Sequence, residues 1–467
     1  MKTFSAFLLL LLGAGSLRAQ GVSPASNGSS RYGAATTFLQ DYQTVGINPA
    51  NLGLWNKETK MITFGAAEIG MQLHTNALTR KDIFSKVIKS HTLTAAEKTQ
   101  AIQDFIYHPV AVNLDLLVAG VSVQLPKLGG FAFTLRQHAA GNYEFNNFVS
   151  NLLFRGIHDQ DYFSHIITDA NQNQVAVSDT PQYISRLFNG TSINYLWYQS
   201  YNLSYGRQVL KTDLLNLYGG IGLQYLQGFG IMSAQFTGDG LQGFTANSPL
   251  LKIDYSGLNL QNAVVGNGLK QVGTGAGVDI GVTALLFKIL KIGVAITDLG
   301  SITWSGNSLD LKDTKLDSLK NFGGVSTLSP VDIFKAFNNL KESVGWQEGV
   351  TRKVALPARL RFGSSIALGK MLEAGFDIVQ PLNDKPGSLT NTYFALGVDF
   401  QPIKSLTFSS GLIAGGNTDT DIPFGVAISA GANQLYQFGI SVADVLTFIQ
   451  PSKPTLGLSL GFLRFQF

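Results

Sequence analysis

The chain has 467 residues, of which 14% are charged and 11% aromatic, with 51 glycines, no cysteine and a formal net charge of +4. The lack of cysteine excludes disulfides, thiolate catalysis and thiolate metal sites together, and a charge this near neutrality excludes the electrostatic footprint of a nucleic-acid partner. The charged fraction lies well under the roughly 25% of an ordinary soluble chain, yet beyond the first twenty residues there is no run of ~18 apolar residues that could span a bilayer as a helix. Only helices and closed barrels cross a membrane, so the composition points to an all-β transmembrane barrel.

In chain order, residues 1–19 read as a secretory signal peptide: Lys2 supplies the basic start, Phe4 to Leu12 the apolar stretch, and small residues lead to cleavage between Ala19 and Gln20. No Cys follows the cleavage site, so an acyl anchor is not expected. Losing Lys2 and Arg18 brings the net charge to +2. Residues 20–60 are too irregular for a barrel strand and too apolar for a free tail. Asn48-Pro49-Ala50-Asn51 within them reads as a turn, because Pro fixes φ and Asn tolerates turn geometry. Such a segment either plugs the lumen or packs beneath it.

From residue 61 the polarity alternates with a period of two. Phe394, Leu396, Val398 and Phe400 alternate with Ala395, Gly397 and Asp399; Leu360 and Phe362 alternate with Arg359 and Arg361. Fourteen such segments are expected, at 61–74, 110–125, 130–140, 193–207, 213–228, 275–287, 291–303, 355–369, 371–381, 391–401, 405–416, 422–431, 434–443 and 455–467. Every second connection is short. The alternate ones are nearly all longer, with the longest at 75–109, 141–192, 229–274 and 304–354. That segregation fits an antiparallel outer-membrane barrel with periplasmic turns, outer loops and both termini in the periplasm, and a soluble β-sandwich has no reason for it.

The long loops carry helical signals. Ile83, Val87 and Ile88 recur at helical spacing, FVSNLLFRGI and PQYISRLFNG lie in 141–192, and Pro330 can open a helix in PVDIFKAFNNLKESV. Their apolar faces must be buried, which suggests a cap over the barrel mouth in preference to a partner surface. The final strand changes phase: Leu456, Leu458, Leu460 and Phe462 are followed by Leu463, Phe465 and Phe467. Either a bulge near Gly461 or a change of facing explains it. An aromatic end at Phe465 and Phe467 is what a barrel assembly machine would read.

A signal peptide, a Gly/Ser-rich lead and Val45…Asn48-Pro49-Ala50…Leu52-Gly53 resemble the FadL-like outer-membrane barrels; YNLSYGRQV, LPARLRFG and the ending GFLRFQF resemble a Bacteroidota branch of them. The resemblance implies an N-terminal hatch holding the NPA stretch inside a fourteen-stranded barrel, and a channel for uptake of small hydrophobic molecules. FadL-like barrels also serve as subunits or scaffolds of outer-membrane secretion or biogenesis complexes, so that role stays open beside transport. The lead QDYQTVGINPANLG and the polar outer loops depart from the fatty-acid transporters.

Chemistry is sparse. No GxSxG, P-loop or HExxH motif occurs, and no local arrangement singles out a Ser/His pair, so neither enzyme activity nor a cofactor is expected. His158, Asp159, Asp161 and His165 share a loop, but their spacing fits no rigid metal motif and they read as solvated. Inward charges are expected at Arg359, Arg361, Glu373, Asp377 and Asp399, neutralising one another and pinning the plug, or forming a polar passage or a latch. The expected partners are membrane lipid, the assembly machinery, a small hydrophobic substrate and other outer-membrane proteins.

Overall fold

In the computed structural model, the structure describes residues 33–54, 60–89, 91–158, 161–251, 260, 262–320, 322–328, 345–416, 418–449 and 455–467. The signal-peptide reading, Asp159 and the helix expected after Pro330 lie outside them. Fourteen strands form one closed antiparallel ring: β1 Ile62–Thr75, β2 Val110–Leu125, β3 Gly129–Glu144, β4 Ser192–Lys211, β5 Leu215–Thr237, β6 Gly273–Leu286, β7 Leu290–Trp304, β8 Arg359–Leu368, β9 Leu372–Pro381, β10 Tyr393–Ile403, β11 Leu406–Gly415, β12 Phe424–Ala430, β13 Tyr436–Val442 and β14 Thr455–Gln466. Each pairs with its neighbours in sequence, and β14 returns to pair with β1, so the barrel has no free edge. Phe467 completes the seam, its N–H donating to the Ile62 carbonyl at 2.8 Å while its own carbonyl accepts from Met61 N–H at 2.9 Å.

The alternation is sorted by face as an apolar solvent outside requires. Phe394, Leu396, Val398 and Phe400 point outward, as do Ile280, Val282, Phe362 and Phe376, and neighbouring rings meet across strands, Phe362 and Phe376 at 5.8 Å between centroids. Arg361, Asp377, Glu68, Asp115, Arg136 and Arg464 face inward and are buried. The phase change in β14 is a bulge. Phe462 and Leu463 both point out, 45% and 44% exposed, and the register against β13 shifts between Gln437 and Gly439.

Two strand boundaries and one bulge differ from the sequence reading. β5 runs on to Thr237 and folds back as a hairpin with Gly240–Asn247, which extends the wall beyond the expected end at residue 228. Arg352–Ala355 pairs with β7 as a separate strand, because Pro357 interrupts the ladder before β8. At Asp298 the φ angle is +59° and the β6–β7 register shifts between Ile296 and Leu299, a bulge that turns Asp298 inward.

The long connections fold over one barrel end as a cap with its own apolar core. Helix α1, Ala95–Phe105, starts at a reciprocal cap between Thr94 and Glu97. Helix α2, Asn147–Arg155, starts at Asn146, whose side chain accepts from Val149 N–H at 2.9 Å, and ends at Gly156, where φ is +60°. Phe105 of α1 meets Phe154 of α2 at 5.5 Å. The residues expected to form a helix at 83–88 make a π-helical turn, and PQYISRLFNG yields a single turn at Ile184–Leu187. A sheet of three strands, His165–Thr168, Gln174–Tyr183 and Lys315–Lys320, completes the cap; it combines segments of two different loops.

Inside the barrel, residues 33–54 form a compact hatch with nearly every side chain buried. Glycines of the wall make room for it. A Cβ on Gly120 would lie 2.7 Å from the Tyr42 ring, one on Gly363 2.7 Å from Thr36 Cβ, and one on Gly397 2.9 Å from Ala34 Cβ. On Gly130, Gly206, Gly220 and Gly281 it would overlap Leu52, Pro49, Ala50 and Asn48. These glycines spread around the circumference, so the wall is a socket shaped to the hatch. These glycines thereby serve close approach rather than turns.

Deleting Phe467 removes its seam bonds to Met61 and Ile62, and the heat-modifiable, membrane-inserted fraction should fall; an unchanged folded yield would contradict the closure described. Gly219 and Gly220 are neighbours on β5, but only Gly220 faces the hatch, while a Cβ on Gly219 meets nothing nearer than Val209 at 3.3 Å. Gly220→Ala should therefore destabilise the folded barrel by about 1–3 kcal/mol through overpacking, and Gly219→Ala by no more than about 0.5 kcal/mol, read from the denaturant midpoint of gel mobility. Equal effects would remove the socket.

Candidate functional site: the hatch and the lumen

The hatch packs on the wall through small separate apolar clusters, Ala34 and Phe38 with Tyr393 and Ala395, and Val45 and Leu52 with Leu117 and Ala132, and polar bonds fasten it further. Asn48 caps the 3-10 turn Pro49–Gly53 by accepting from Ala50 N–H at 3.2 Å, with Pro49 supplying a preset φ at the first position. Its amide then donates to Thr283 Oγ1 on β6 at 2.8 Å, and the Thr283 hydroxyl donates to Asn51 Oδ1 at 2.8 Å. Asn51 turns its own amide on the Thr36 and Leu39 carbonyls, both at 2.9 Å, tying the two halves of the hatch together. Pro49 and Ala50 make the close approaches to Gly206 and Gly220.

Three charged anchors bind hatch to wall. Asp377 Oδ2 on β9 accepts from Ala35 N–H and Thr36 N–H at 2.8 Å each and from Thr36 Oγ1 at 2.7 Å. A carboxylate taking several donors in a water-poor site makes bonds roughly twice as strong as neutral ones. Arg464 on β14 pairs with Asp41, and its guanidinium lies 5.8 Å from the Tyr42 ring centre. The Tyr42 hydroxyl donates to Glu68 on β1, which also accepts from Gln43 Nε2 at 3.4 Å.

The charges expected from sequence to hold the plug divide by height. Asp377 touches the hatch directly. Glu373 does so through Lys291, which sits 2.9 Å from Glu373 Oε1 and donates to the Thr37 carbonyl at 3.3 Å. Arg361 is buried in the wall one step nearer the cap than Asp377. Arg359 lies above the hatch, toward the cap, and donates to the Gly387 carbonyl at 3.4 Å. Asp399 lies below it, accepting from Ser409 Oγ at 2.8 Å. Arg464, Glu68, Lys291 and Thr283 were not singled out, although the same period-two phase of their strands would have found each of them. Phe465, at the seam, meets the Tyr436 ring in a tilted contact at 5.5 Å.

Cavities lie on both sides of the hatch. Toward the short-turn end, a vestibule of about 400 Å³ is lined by Gln40, Asp41 and Gln43 of the hatch and by Lys370, Glu373, Asp399 and Arg464 of the wall. Toward the cap, a smaller cavity of about 70 Å³ is floored by Val45 and Gly46 and walled by polar side chains. There Asp115 accepts from Arg136 at 2.7 Å and lies 2.8 Å from His138 Nδ1, while His138 Nε2 lies 3.0 Å from Ser200 Oγ. Beside them Asp279 accepts from Asn202, Gln224 and Asp298 N–H, each at 2.8 Å. A Ser/His pair therefore does exist, assembled from two strands, with Asp115 added from a third. Above this polar layer the lumen turns apolar, packed by Leu196, Leu226, Ile302, Trp304 and Leu356. His158 and His165 stand apart from these layers, in the cap, and His165 lies 3.6 Å from Asp179. No metal-binding group of side chains occurs among the described residues.

No curated protein matches the chain in sequence. Among solved structures it is similar to a TodX deltaS2S3 mutant monoaromatic hydrocarbon channel at 11% identity, covering 94% of this chain and 99% of that one with a TM-score of 0.47. It is similar to the Ralstonia pickettii toluene transporter TbuX at 14% identity, with 96% and 99% covered and a TM-score of 0.45. It is likewise similar to a Pseudomonas aeruginosa FadL homologue at 10% identity, with 96% and 100% covered and a TM-score of 0.44. A family model matches residues 56–438, almost the whole barrel. The chain belongs to that family, the family of unknown function DUF5723.

Proposed function

We propose that this protein is a plugged outer-membrane channel for uptake of small, mainly apolar molecules, with the hatch as its gate. One observation carries the reading: the hatch separates two cavities and is joined to the wall by hydrogen bonds, ion pairs and small separate apolar clusters rather than by one continuous apolar core. Polar bonds exchange with water at a net cost of about 0.5–1.5 kcal/mol each when neutral and about 1.5–3 kcal/mol when one partner is charged, less than the cost of unfolding the closed barrel, so such a plug can be released with the barrel intact. The succession of layers from the cap inward, apolar around Trp304 and then polar around Arg136, His138 and Arg359, suits a solute with an apolar body and a polar end. In this reading the short-turn end and both termini face the periplasm, and the cap faces outward.

A wide barrel also needs something to close it. Eight strands already give an interior that side chains just fill, so fourteen leave a lumen that the hatch must occupy. Deleting residues 33–54 should leave a folded barrel whose conductance in planar bilayers exceeds that of the intact protein at least about tenfold, since a lumen of this strand number is an aqueous channel when empty. A truncated barrel that folds and stays closed would contradict the gate and assign sealing to the cap.

A second reading has one observation in its favour. The cap has a solid apolar core, and its outer strand His165–Thr168 leaves Ile166 and Ile167 exposed. A barrel acting as a subunit of an outer-membrane assembly would use such a surface. Purification from native membrane in mild detergent separates the two: stoichiometric companion proteins support the subunit role, and a solitary barrel supports the channel.

A further inference from the structure

Asp115, His138 and Ser200 come from β2, β3 and β4, and no two of them are close in sequence. The barrel register brings them together: Asp115 is paired directly with His138, and Arg136 directly with Ser200. His138 Nδ1 lies 2.8 Å from Asp115 Oδ2, and the opposite ring nitrogen, Nε2, lies 3.0 Å from Ser200 Oγ. The imidazole stacks on Tyr198 with centroids 4.8 Å apart, which fixes its plane. All three side chains line the cavity above the hatch.

This is the arrangement that activates a serine: a base within hydrogen-bond reach of the hydroxyl, itself oriented through its other nitrogen by a carboxylate. We propose that Ser200, His138 and Asp115 form an acyl-transfer site within the lumen, acting on short-chain carboxylic esters. Ser200 Oγ attacks the ester carbonyl carbon while its proton passes to His138 Nε2, and Asp115 holds the imidazolium formed. The Arg136 side chain, across the strand pair from Ser200, supplies the positive charge for the tetrahedral oxyanion. Collapse expels the alcohol, which takes the proton back from His138 and leaves Ser200 acylated. Water then attacks the acyl-enzyme, giving its proton to His138, and releases the carboxylic acid with Ser200 restored. The cavity limits the acyl group. About 70 Å³ holds on the order of five waters, which admits an acetyl-sized group and excludes a long chain.

The assignment is independent of whether the hatch opens. It also has a clean probe, because the chain has no cysteine and Ser200→Cys introduces the single thiol. Paired with His138, that thiol should sit well below the ordinary value of roughly 8.5 and carry thiolate at pH 6. Iodoacetamide should then alkylate Ser200→Cys at pH 6 at least about tenfold faster than the Ser200→Cys/His138→Ala double variant, the two converging above pH 9. Asn113 lines the same cavity, so Asn113→Cys reports access; it should react with the ordinary pH dependence of a thiol. The wild-type barrel should also gain one methanesulfonyl group from methanesulfonyl fluoride, detected by intact mass and absent in Ser200→Ala. Three results would overturn the proposal. One is equal pH profiles with and without His138; another is Asn113→Cys inert in the folded barrel, since a sealed cavity turns over no substrate. The third is a reactive Asn113→Cys alongside a wild type that gains no sulfonyl group at Ser200.

Discussion

The structure depends on one geometric constraint: a closed ring of fourteen strands encloses more space than its own side chains can fill. The chain meets it by sending residues 33–54 into the lumen and removing side chains where the hatch meets the wall. A β-carbon at Gly130, Gly206, Gly220 or Gly281 would occupy volume already held by hatch backbone or the Asn48 amide. Hatch and wall thus fit as backbone against backbone. That close approach brings the polar groups of the hatch within reach of Thr283, Asp377, Glu68 and Arg464.

Charge inside the barrel follows from the same constraint. On the lipid face an Arg near the midplane would cost roughly 2–4 kcal/mol, so the charges lie inward and take up partners there. They fall into levels along the axis. Asp399 lines the vestibule, Asp377 and Arg464 bind the hatch, and Asp115, Arg136 and Asp279 form the polar layer above it. Each level is satisfied largely within itself. The hatch can therefore be considered as a separate body, held by a small number of bonds and bounded by a cavity on either side.

Much of this was legible in the sequence, because period-two alternation and loop length are local signals. All fourteen barrel strands overlap the segments that alternation placed, and the phase change near Gly461 marks a real bulge with Phe462 and Leu463 both outward. What was not legible depends on which strand stands beside which, and at what height. The Asp115–His138–Ser200 constellation spans three strands, so no motif search could find it. Arg359 and Arg361 are two residues apart and face the same way, yet Arg359 reaches the Gly387 carbonyl above the hatch while Arg361 lies lower in the wall. The cap sheet joins Gln174–Tyr183 to Lys315–Lys320 from two loops, a long-range pairing that alternation within either loop does not specify.

Residues 33–54 occupy the lumen of the folded, membrane-inserted barrel, and the absence of cysteine allows their position to be measured directly. A β-carbon on Gly33 would stand 3.8 Å from the β-carbon of Ala395 on the inner face of β10, the mean separation across a disulfide. In the Gly33→Cys/Ala395→Cys variant, mild oxidation of outer membranes should form the intramolecular crosslink in most heat-modifiable barrels, seen as a mobility shift that reductant reverses. If both thiols stay free and reactive toward a soluble maleimide under those conditions, the hatch does not sit against β10 and the account of the lumen fails.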